Sequence, residues 1–258
     1  MNNPAHFTCI CLLIRDENRY LNEWLLHHLP ITDHIYIYDN GIKEQVSTAT
    51  SELPKQDQSR ITVIPYKNRY SHVQEEAYNH FLTHYGRETV WCIFLDSDEF
   101  LILDCPDTLP KILTEKDCYN EIRIFWNEYG ADGRKHYEPL PVRQRFLRRS
   151  QASKTFLHKD FIQTAKVRRM ISHFPVFDPA DRLCYEDTQM KLFHIDHYYT
   201  KSLEEWQEKM ARGSANPSCL KNFNEFFLYN PDMAYLKTET NGCSQSYHAG
   251  CQKQGGSL

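Results

Sequence analysis

The chain has 258 residues, of which 41% are hydrophobic and 25% charged, as in ordinary globular proteins. This length suits one large domain or two small ones. The formal net charge of −4 gives no overall attraction to nucleic acid or to a membrane surface. No apolar run reaches the roughly 18 residues that a transmembrane helix needs. We therefore expect neither a transmembrane helix nor a nucleic-acid partner.

The cysteines indicate a reducing environment. Their number is odd, nine, and they form neither a CxxC pair nor a Cys/His cluster with zinc spacing. We expect free, mostly buried thiols. The first 20 residues contain too short an apolar stretch for a signal peptide. The sequence therefore predicts a cytoplasmic protein.

Strands and helices alternate over the first hundred residues. Apolar runs rich in strand-forming residues predict strands at residues 7–14, 34–41, 60–66 and 91–101. Apolar residues at helical spacing predict a helix over residues 71–86, and an earlier one before Pro30 with the stripe Tyr20, Leu21, Trp24, Leu25 and His28. This alternation predicts an α/β fold with a mainly parallel sheet flanked by helices.

The second half of the chain is less regular. Its patterns predict strands at residues 120–126 and 190–200 and a helix over residues 202–213. Ser202 would cap that helix, and Glu205, three residues later, would complete a capping box. Residues 238–258 are rich in Ser, Gln and Gly, so we expect a disordered tail there.

Polar clusters follow three of the predicted strands: Arg15-Asp16-Glu17, Asp39-Asn40 and Asp96-Ser97-Asp98. Ligands of open α/β sheets bind at the carboxyl ends of the strands, so we expect these clusters to converge. On an extended strand end, Asp96 and Asp98 would face the same side. Crowded carboxylates resist burial, and a divalent cation such as Mn²⁺ or Mg²⁺ would offset their repulsion. The alternative is a solvated acidic turn.

Five ordered blocks resemble one enzyme family: LLIRDENRYLNEWLLHHL, DHIYIYDNG, WCIFLDSDEFL, WNEYGADG and HIDHYYTKSLEEWQEKMARG. It is the family 92-like branch of the family 2 glycosyltransferases, and the resemblance covers about residues 9–213. It implies a GT-A fold, a nucleotide-sugar donor, a divalent metal and inversion at the anomeric carbon. It also implies a single GT-A domain over residues 1–237, with a nucleotide-sugar-binding half at 7–104 and an acceptor- and metal-completing half at 120–213.

The resemblance also implies roles for individual residues. Asp39 would hydrogen-bond the nucleotide base, and the implied donor-binding residues are Arg15, Glu17, Asp39, Asn40, Asp96, Ser97, Lys154 and Lys201. Mn²⁺ or Mg²⁺ would be bound by Asp96, Asp98 and His197, with His194 and His173 as alternatives to His197.

An inverting transfer needs a general base for the acceptor hydroxyl. Asp187 is the favoured candidate and Glu128 the next, with Glu186 and Asp132 as further alternatives. On the acceptor side, Trp126 is a candidate sugar platform, followed by a loop that contains Gly130 and Asp132. This loop departs from the family pattern, so the identity of the acceptor does not carry over.

These residues predict a metal-dependent, inverting glycosyltransferase that uses a UDP-sugar and a glycan or glycolipid acceptor, in lipopolysaccharide, lipooligosaccharide or capsule synthesis. A phosphohydrolase of the haloacid dehalogenase type is one alternative, although Phe100 stands where that class has Thr or Val. A nucleotidyltransferase, which would release pyrophosphate, is another.

A basic stretch runs from Arg143 to Arg169. It has three interpretations: a site for an anionic acceptor, a peripheral contact with anionic lipid at the inner membrane face, or ordinary protein surface.

Overall fold

The computed structural model of the chain describes residues 4–43, 46–67, 72–150, 157–180, 182–213 and 221–237. Its strands are β1 (His6–Ile14), β2 (His34–Asp39), β3 (Ile61–Pro65), β4 (Thr89–Leu95), β5 (Glu99–Leu103), β6 (Glu121–Glu128), β7 (His158–Gln163), β8 (Arg169–Ile171), β9 (Phe174–Val176), β10 (Cys184–Glu186) and β11 (Phe193–His197). The main sheet has the order β3-β2-β1-β4-β7-β6-β11-β5, with β10 paired to β6, while β8 and β9 form a separate hairpin.

The helices are α1 (Asn18–His28), α2 (Val46–Ser51), α3 (Lys55–Gln58), α4 (Val73–His84), α5 (Leu109–Glu115), α6 (Val142–Arg145), α7 (Leu203–Arg212) and α8 (Phe223–Tyr229). Short 3₁₀ helices cover Gly86–Glu88 and Pro231–Leu236. The predicted stripe of α1 is buried throughout. The predicted capping box of α7 is present, with Ser202 and Glu205 bonded reciprocally. The predicted α/β fold is confirmed.

The register of the parallel strands aligns the carboxyl ends of β1, β2 and β4. Ile14 lies opposite Asp39 in the β1–β2 pair, and Leu12 lies opposite Leu95 in the β1–β4 pair. The residues that follow β1, β2 and β4 therefore meet at one edge of the sheet, which we call the carboxyl edge. The predicted convergence of the three polar clusters is what this register produces.

The segment 91–101 differs from the prediction, because it belongs to two strands. β4 ends at Leu95, and Glu99 N donates to Asp96 O at 3.1 Å to close a turn before β5. Asp96 and Asp98 therefore lie in a turn and not on an extended strand end. The reversal allows β5 to pair antiparallel with β11.

The main sheet is mainly parallel, as predicted, but it includes antiparallel pairs. β7 enters antiparallel between β4 and β6. Phe161 and Ile162 of β7 fill the hydrophobic cores on the two faces of the sheet. The charged neighbours Lys159 and Asp160 interrupt the apolar pattern, which is why the strand is inconspicuous in the sequence.

The basic stretch does not form one free surface. Arg145 is buried against Glu205, and Lys159 is buried against Asp96 and Glu99. Arg148 and Arg168 pair with Asp132 and Asp178, respectively, at the surface. Four basic residues of this stretch therefore already have carboxylate partners.

Within the described parts of the chain, no helix combines the length and apolar character that crossing a membrane requires. Cys9, Cys11, Cys92, Cys105, Cys118 and Cys184 are free thiols, and the first three are buried. The predicted tail, residues 238–258, lies outside the described residues.

Candidate functional site

A cavity of about 440 Å³ opens at the carboxyl edge. Nine of its lining residues were predicted site residues: Arg15, Glu17, Asn40, Asp96, Ser97, Asp98, Trp126, Glu128 and His197. The sequence interpretation gave no role to several others, namely Gln74, Tyr199, Lys209, Arg212, Lys221, Glu225 and Tyr229. Most of this second group comes from α7, α8 and the segments beside them.

Asp98 is buried among cations. Its Oδ2 atom lies 2.7 Å from Nζ of Lys209 and 3.3 Å from Nζ of Lys201. Its Oδ1 atom lies 3.6 Å from Nε2 of His197. Burial alone would raise the pKa of Asp98. The charges of Lys209, Lys201 and His197 outweigh burial and hold this pKa well below its usual range. Asp98 is therefore an ionised carboxylate inside the protein.

Asp96 and Glu99 share a lysine. Nζ of Lys159 lies 3.1 Å from Oδ2 of Asp96 and 3.2 Å from Oε2 of Glu99. Burial alone would raise the pKa of Asp96, but the charge of Lys159 lowers it. For Glu99, in contrast, burial raises the pKa to about 7. Lysines from β7, α7 and the segment before α7 thus offset the crowding of the three carboxylates.

His197 is held between two carboxylates. Parallel pairing of β6 and β11 places it opposite Glu128, whose Oε1 lies 3.2 Å from Nδ1. Nε2 faces Asp98. Burial alone would lower the pKa of His197. The charges of Glu128 and Asp98 outweigh burial and raise this pKa to about 10. The ring also packs on Trp126, with centroids 4.5 Å apart.

Several polar atoms of the lining residues are left for a ligand. Nε of Arg15, Nε1 of Trp126 and Nδ1 of His173 are buried and have no hydrogen-bond partner among the described residues. Burial, with the nearby charge of Lys159, lowers the pKa of His173 to about 4, so this ring is neutral at pH 7. Unpaired buried donors are costly unless something else satisfies them.

Glu17 connects three segments of the cavity wall by hydrogen bonds. Its carboxylate accepts hydrogen bonds from the hydroxyl of Ser97 and from the guanidinium of Arg212. This arrangement connects the end of β1, the turn after β4 and the last turn of α7. His194, an alternative metal ligand in the sequence interpretation, instead bridges Asp104 and Asp196 away from the cavity.

Some predicted donor-binding residues take other positions. The carboxylate of Asp39 accepts a hydrogen bond from Gly41 N at 2.9 Å and lies 3.4 Å from Nζ of Lys67, so Asn40 rather than Asp39 lines the cavity. Lys201 reaches the site only through Asp98. Lys154 lies outside the described residues.

The structure does not bring Asp187 to the cavity. It follows β10, which pairs with the beginning of β6, and its Oδ2 accepts hydrogen bonds from the N–H groups of Leu192 and Phe193. Its carboxylate therefore stabilises the turn that leads into β11. The alternative Glu186 pairs with Arg123.

The predicted acceptor loop is also used structurally. A Cβ atom at Gly130 would lie 2.9 Å from Oδ1 of Asn230, so the backbone needs glycine for close packing. Asp132 accepts a hydrogen bond from Leu147 N at 2.6 Å. Trp126 is the predicted acceptor residue that lines the cavity.

Among the described residues, no three His, Cys, Asp or Glu side chains already form a metal-binding cluster. The donor chemistry nevertheless fits Mn²⁺ or Mg²⁺, because Asp96, Asp98 and His197 offer carboxylate oxygen and imidazole nitrogen without sulfur. The contact of Glu128 with Nδ1 of His197 turns Nε2 towards Asp98. Carboxylates orient metal-binding histidines in the same way.

The chain matches the model of glycosyltransferase family 92 over residues 5–228. It is 26% identical over 214 residues to a glycosyltransferase family 92 protein of Oryza sativa subsp. japonica, covering 80% of this chain and 35% of that protein. The match to one of Ricinus communis is 22% identical over 216 residues, with 80% and 38% covered. The chain thus spans little more than a third of the length of these relatives.

Solved structures give partial likenesses. Glucosyl-3-phosphoglycerate synthase from Mycobacterium tuberculosis, crystallised with Mn²⁺, UDP and glucosyl-3-phosphoglycerate, is 16% identical, with a TM-score of 0.33 and 47% of this chain and 44% of that one covered. The galactosyltransferase LgtC is 16% identical, with a TM-score of 0.30 and 45% and 46% covered. The family model matches most of the chain, as the five sequence blocks predicted, and the chain therefore belongs to glycosyltransferase family 92.

Proposed function

We propose that the chain is a metal-dependent, inverting glycosyltransferase of GT-A type that transfers a sugar from a nucleoside diphosphate, UDP first, to a hydroxyl group of a glycan or glycolipid. One observation carries the proposal: Asp98 and His197 share the carboxyl-edge cavity with the cationic residues Arg15, Lys209, Arg212 and Lys221. Carboxylate and imidazole ligands for a divalent metal, together with cationic side chains for a diphosphate, are what such a donor requires.

The lining residues divide between binding and positioning. A divalent cation held by Asp96, Asp98 and His197 would supply Lewis acidity towards the diphosphate leaving group. Arg15 and Arg212 would bind phosphate oxygens, because guanidinium groups match them geometrically. Glu128 fixes the ring orientation of His197. The indole of Trp126 would provide an apolar face for a sugar ring.

Glu225 is the carboxylate of the cavity best placed to serve as the general base. Asp96, Glu17 and Glu128 each contact a cationic side chain, which weakens a carboxylate as a base. Glu225 instead accepts a hydrogen bond of 2.7 Å from the neutral hydroxyl of Tyr199. It stands on the first turn of α8 and lines the same cavity as the proposed metal ligands.

A nucleotide panel tests the proposal. We expect UDP to raise the melting temperature of the protein with Mn²⁺ present, since a ligand at 100 times its Kd adds about 2.7 kcal/mol of stability. Incubation with UDP-sugars and an acceptor should then release UDP. Release of pyrophosphate would indicate a nucleotidyltransferase instead, and release of inorganic phosphate from phosphate esters a phosphohydrolase. A protein that no nucleoside diphosphate stabilises, with or without Mn²⁺, would overturn the proposal.

Glu128→Gln and Glu225→Gln are expected to separate metal positioning from base catalysis. Glu128→Gln removes the charge that orients His197, so we expect Mn²⁺ affinity to fall about 10- to 100-fold. Glu225→Gln should leave Mn²⁺ and UDP affinities unchanged and lower kcat about 10²- to 10⁴-fold. Calorimetric titration and initial rates measure both. Unchanged Mn²⁺ affinity with a lost kcat in Glu128→Gln would instead make Glu128 the base.

A further inference from the structure

The two lysines that contact Asp98 occupy different environments. Lys201 is 3% exposed, its Nζ lies 4.7 Å from the centre of the Tyr20 ring, and its backbone adopts the left-handed region with φ 54°. A buried residue in such a conformation is fixed by its surroundings. Lys201 is therefore the more rigidly held of the two counter-charges of Asp98.

Lys209 is the less enclosed of the two. It stands on α7, its side chain lines the cavity and is 13% exposed, and its Nζ makes the shorter contact with Asp98, 2.7 Å. Nζ also donates to Tyr199 O at 2.9 Å and lies 4.3 Å from the centre of the Tyr199 ring. These contacts are made by the end of a long, flexible side chain that lines the cavity.

Lys209 stands where a divalent cation would need to act. Its ammonium group is bound to Oδ2 of a carboxylate whose Oδ1 faces His197. A divalent cation at Asp98 would place a double positive charge beside that ammonium group and repel it. Arg212, one turn further along α7, lines the same cavity, so a displaced Lys209 would face space that the proposed diphosphate occupies.

Resting on the proposed function, we propose that Lys209 is an exchangeable counter-charge: it neutralises Asp98 in the free protein and moves to the donor diphosphate when a divalent cation binds Asp98. Lysine suits this task, because its ammonium group is a compact point charge on a flexible stem. The exchange makes metal binding and diphosphate binding mutually dependent, since each ligand favours the same position of Lys209.

Lys209→Met separates the two halves of the exchange. Without nucleotide, the variant should bind Mn²⁺ about tenfold more tightly than the wild type, because no ammonium group competes for Asp98. At saturating Mn²⁺ it should bind UDP about tenfold more weakly. Calorimetric titration of Mn²⁺ alone, and of UDP at saturating Mn²⁺, gives both numbers. Methionine keeps an unbranched apolar side chain of similar length, and a melting curve checks the fold.

Lys111→Met is the matched control, since Lys111 pairs with Asp107 at the surface, outside the cavity; both of its affinities should equal those of the wild type. Equal Mn²⁺ affinity of Lys209→Met and the wild type would overturn the exchange while leaving the proposed function standing. A wild-type protein that binds UDP only without Mn²⁺, or binds no Mn²⁺ at all, would overturn the metal-dependent function and the exchange together.

Discussion

Asp98→Asn is expected to abolish metal-dependent binding of nucleotide and to lower sugar transfer at least about 100-fold. Asparagine keeps the size of the side chain but removes the negative charge that faces Lys201, Lys209 and His197. The amide is a poor ligand for a hard divalent cation, and the three cationic groups then repel any cation that enters. UDP-dependent melting shifts with and without Mn²⁺, followed by initial rates, measure the effect.

Asp107→Asn provides the control for this change. Asp107 is an exposed carboxylate paired with Lys111, so its substitution makes the same change of charge at the surface. We expect it to leave both readouts unaltered. If Asp98→Asn kept the Mn²⁺-dependent stabilisation by UDP, Asp98 would not be a metal ligand, and the cluster of cations around it would have only a structural purpose.

Local patterns were sufficient for the part of the fold that builds the carboxyl edge. The β1, β2 and β4 strands are apolar runs that end at polar clusters, and α1 shows its buried stripe at helical spacing. The turn between β4 and β5 was missed because apolar residues lie on both sides of Asp96-Ser97-Asp98, so that residues 91–101 resemble one strand. Only the pairing of β5 with β11 reveals the reversal. Such pairing is a long-range property, and no local period encodes it.

The site shows the same division. Its carboxylates come from short motifs, whereas the cations that balance them come from far along the chain. Lys159 is 63 residues from Asp96, and Lys201 and Lys209 are 103 and 111 residues from Asp98. Lys209 and Arg212 stand within the block HIDHYYTKSLEEWQEKMARG, which resembles the family, so a signal for them existed. Lys159 carried no signal beyond a generally basic stretch.

Asp187 illustrates the limit of reading function from residue type. An acidic residue near a predicted strand suits both catalysis and a turn, and here its carboxylate holds backbone N–H groups ahead of β11. Glu225 was overlooked because it lies on α8, a short helix beyond the region of the resemblance. Only the fold shows that α8 lines the cavity.

Arg145→Met is expected to destabilise the protein by about 3–5 kcal/mol, because it leaves a buried carboxylate without its partner. Arg145 donates to both oxygens of Glu205, at 2.8 and 2.9 Å, and both side chains are 1% exposed. Tyr20 and Ser202 also donate to this carboxylate, which lies at the start of α7. The pair thereby anchors the helix that carries Lys209 and Arg212. Urea denaturation at pH 7 measures the change, and Lys111→Met, at an exposed pair, should leave stability unaltered.

The Arg145–Glu205 pair also makes the stability of the protein depend on pH. Although burial would raise it, hydrogen bonds from Arg145, Ser202 and Tyr20 lower the pKa of Glu205 from 4.5 to about 2. Since the folded pKa lies below the unfolded one, this stabilisation, roughly 3 kcal/mol, is complete above about pH 5 and is lost as the pH falls towards 2. The deficit of Arg145→Met should therefore shrink over that range. A deficit that stays constant from pH 7 to pH 3 would show that Arg145 acts through packing and not through the charge of Glu205.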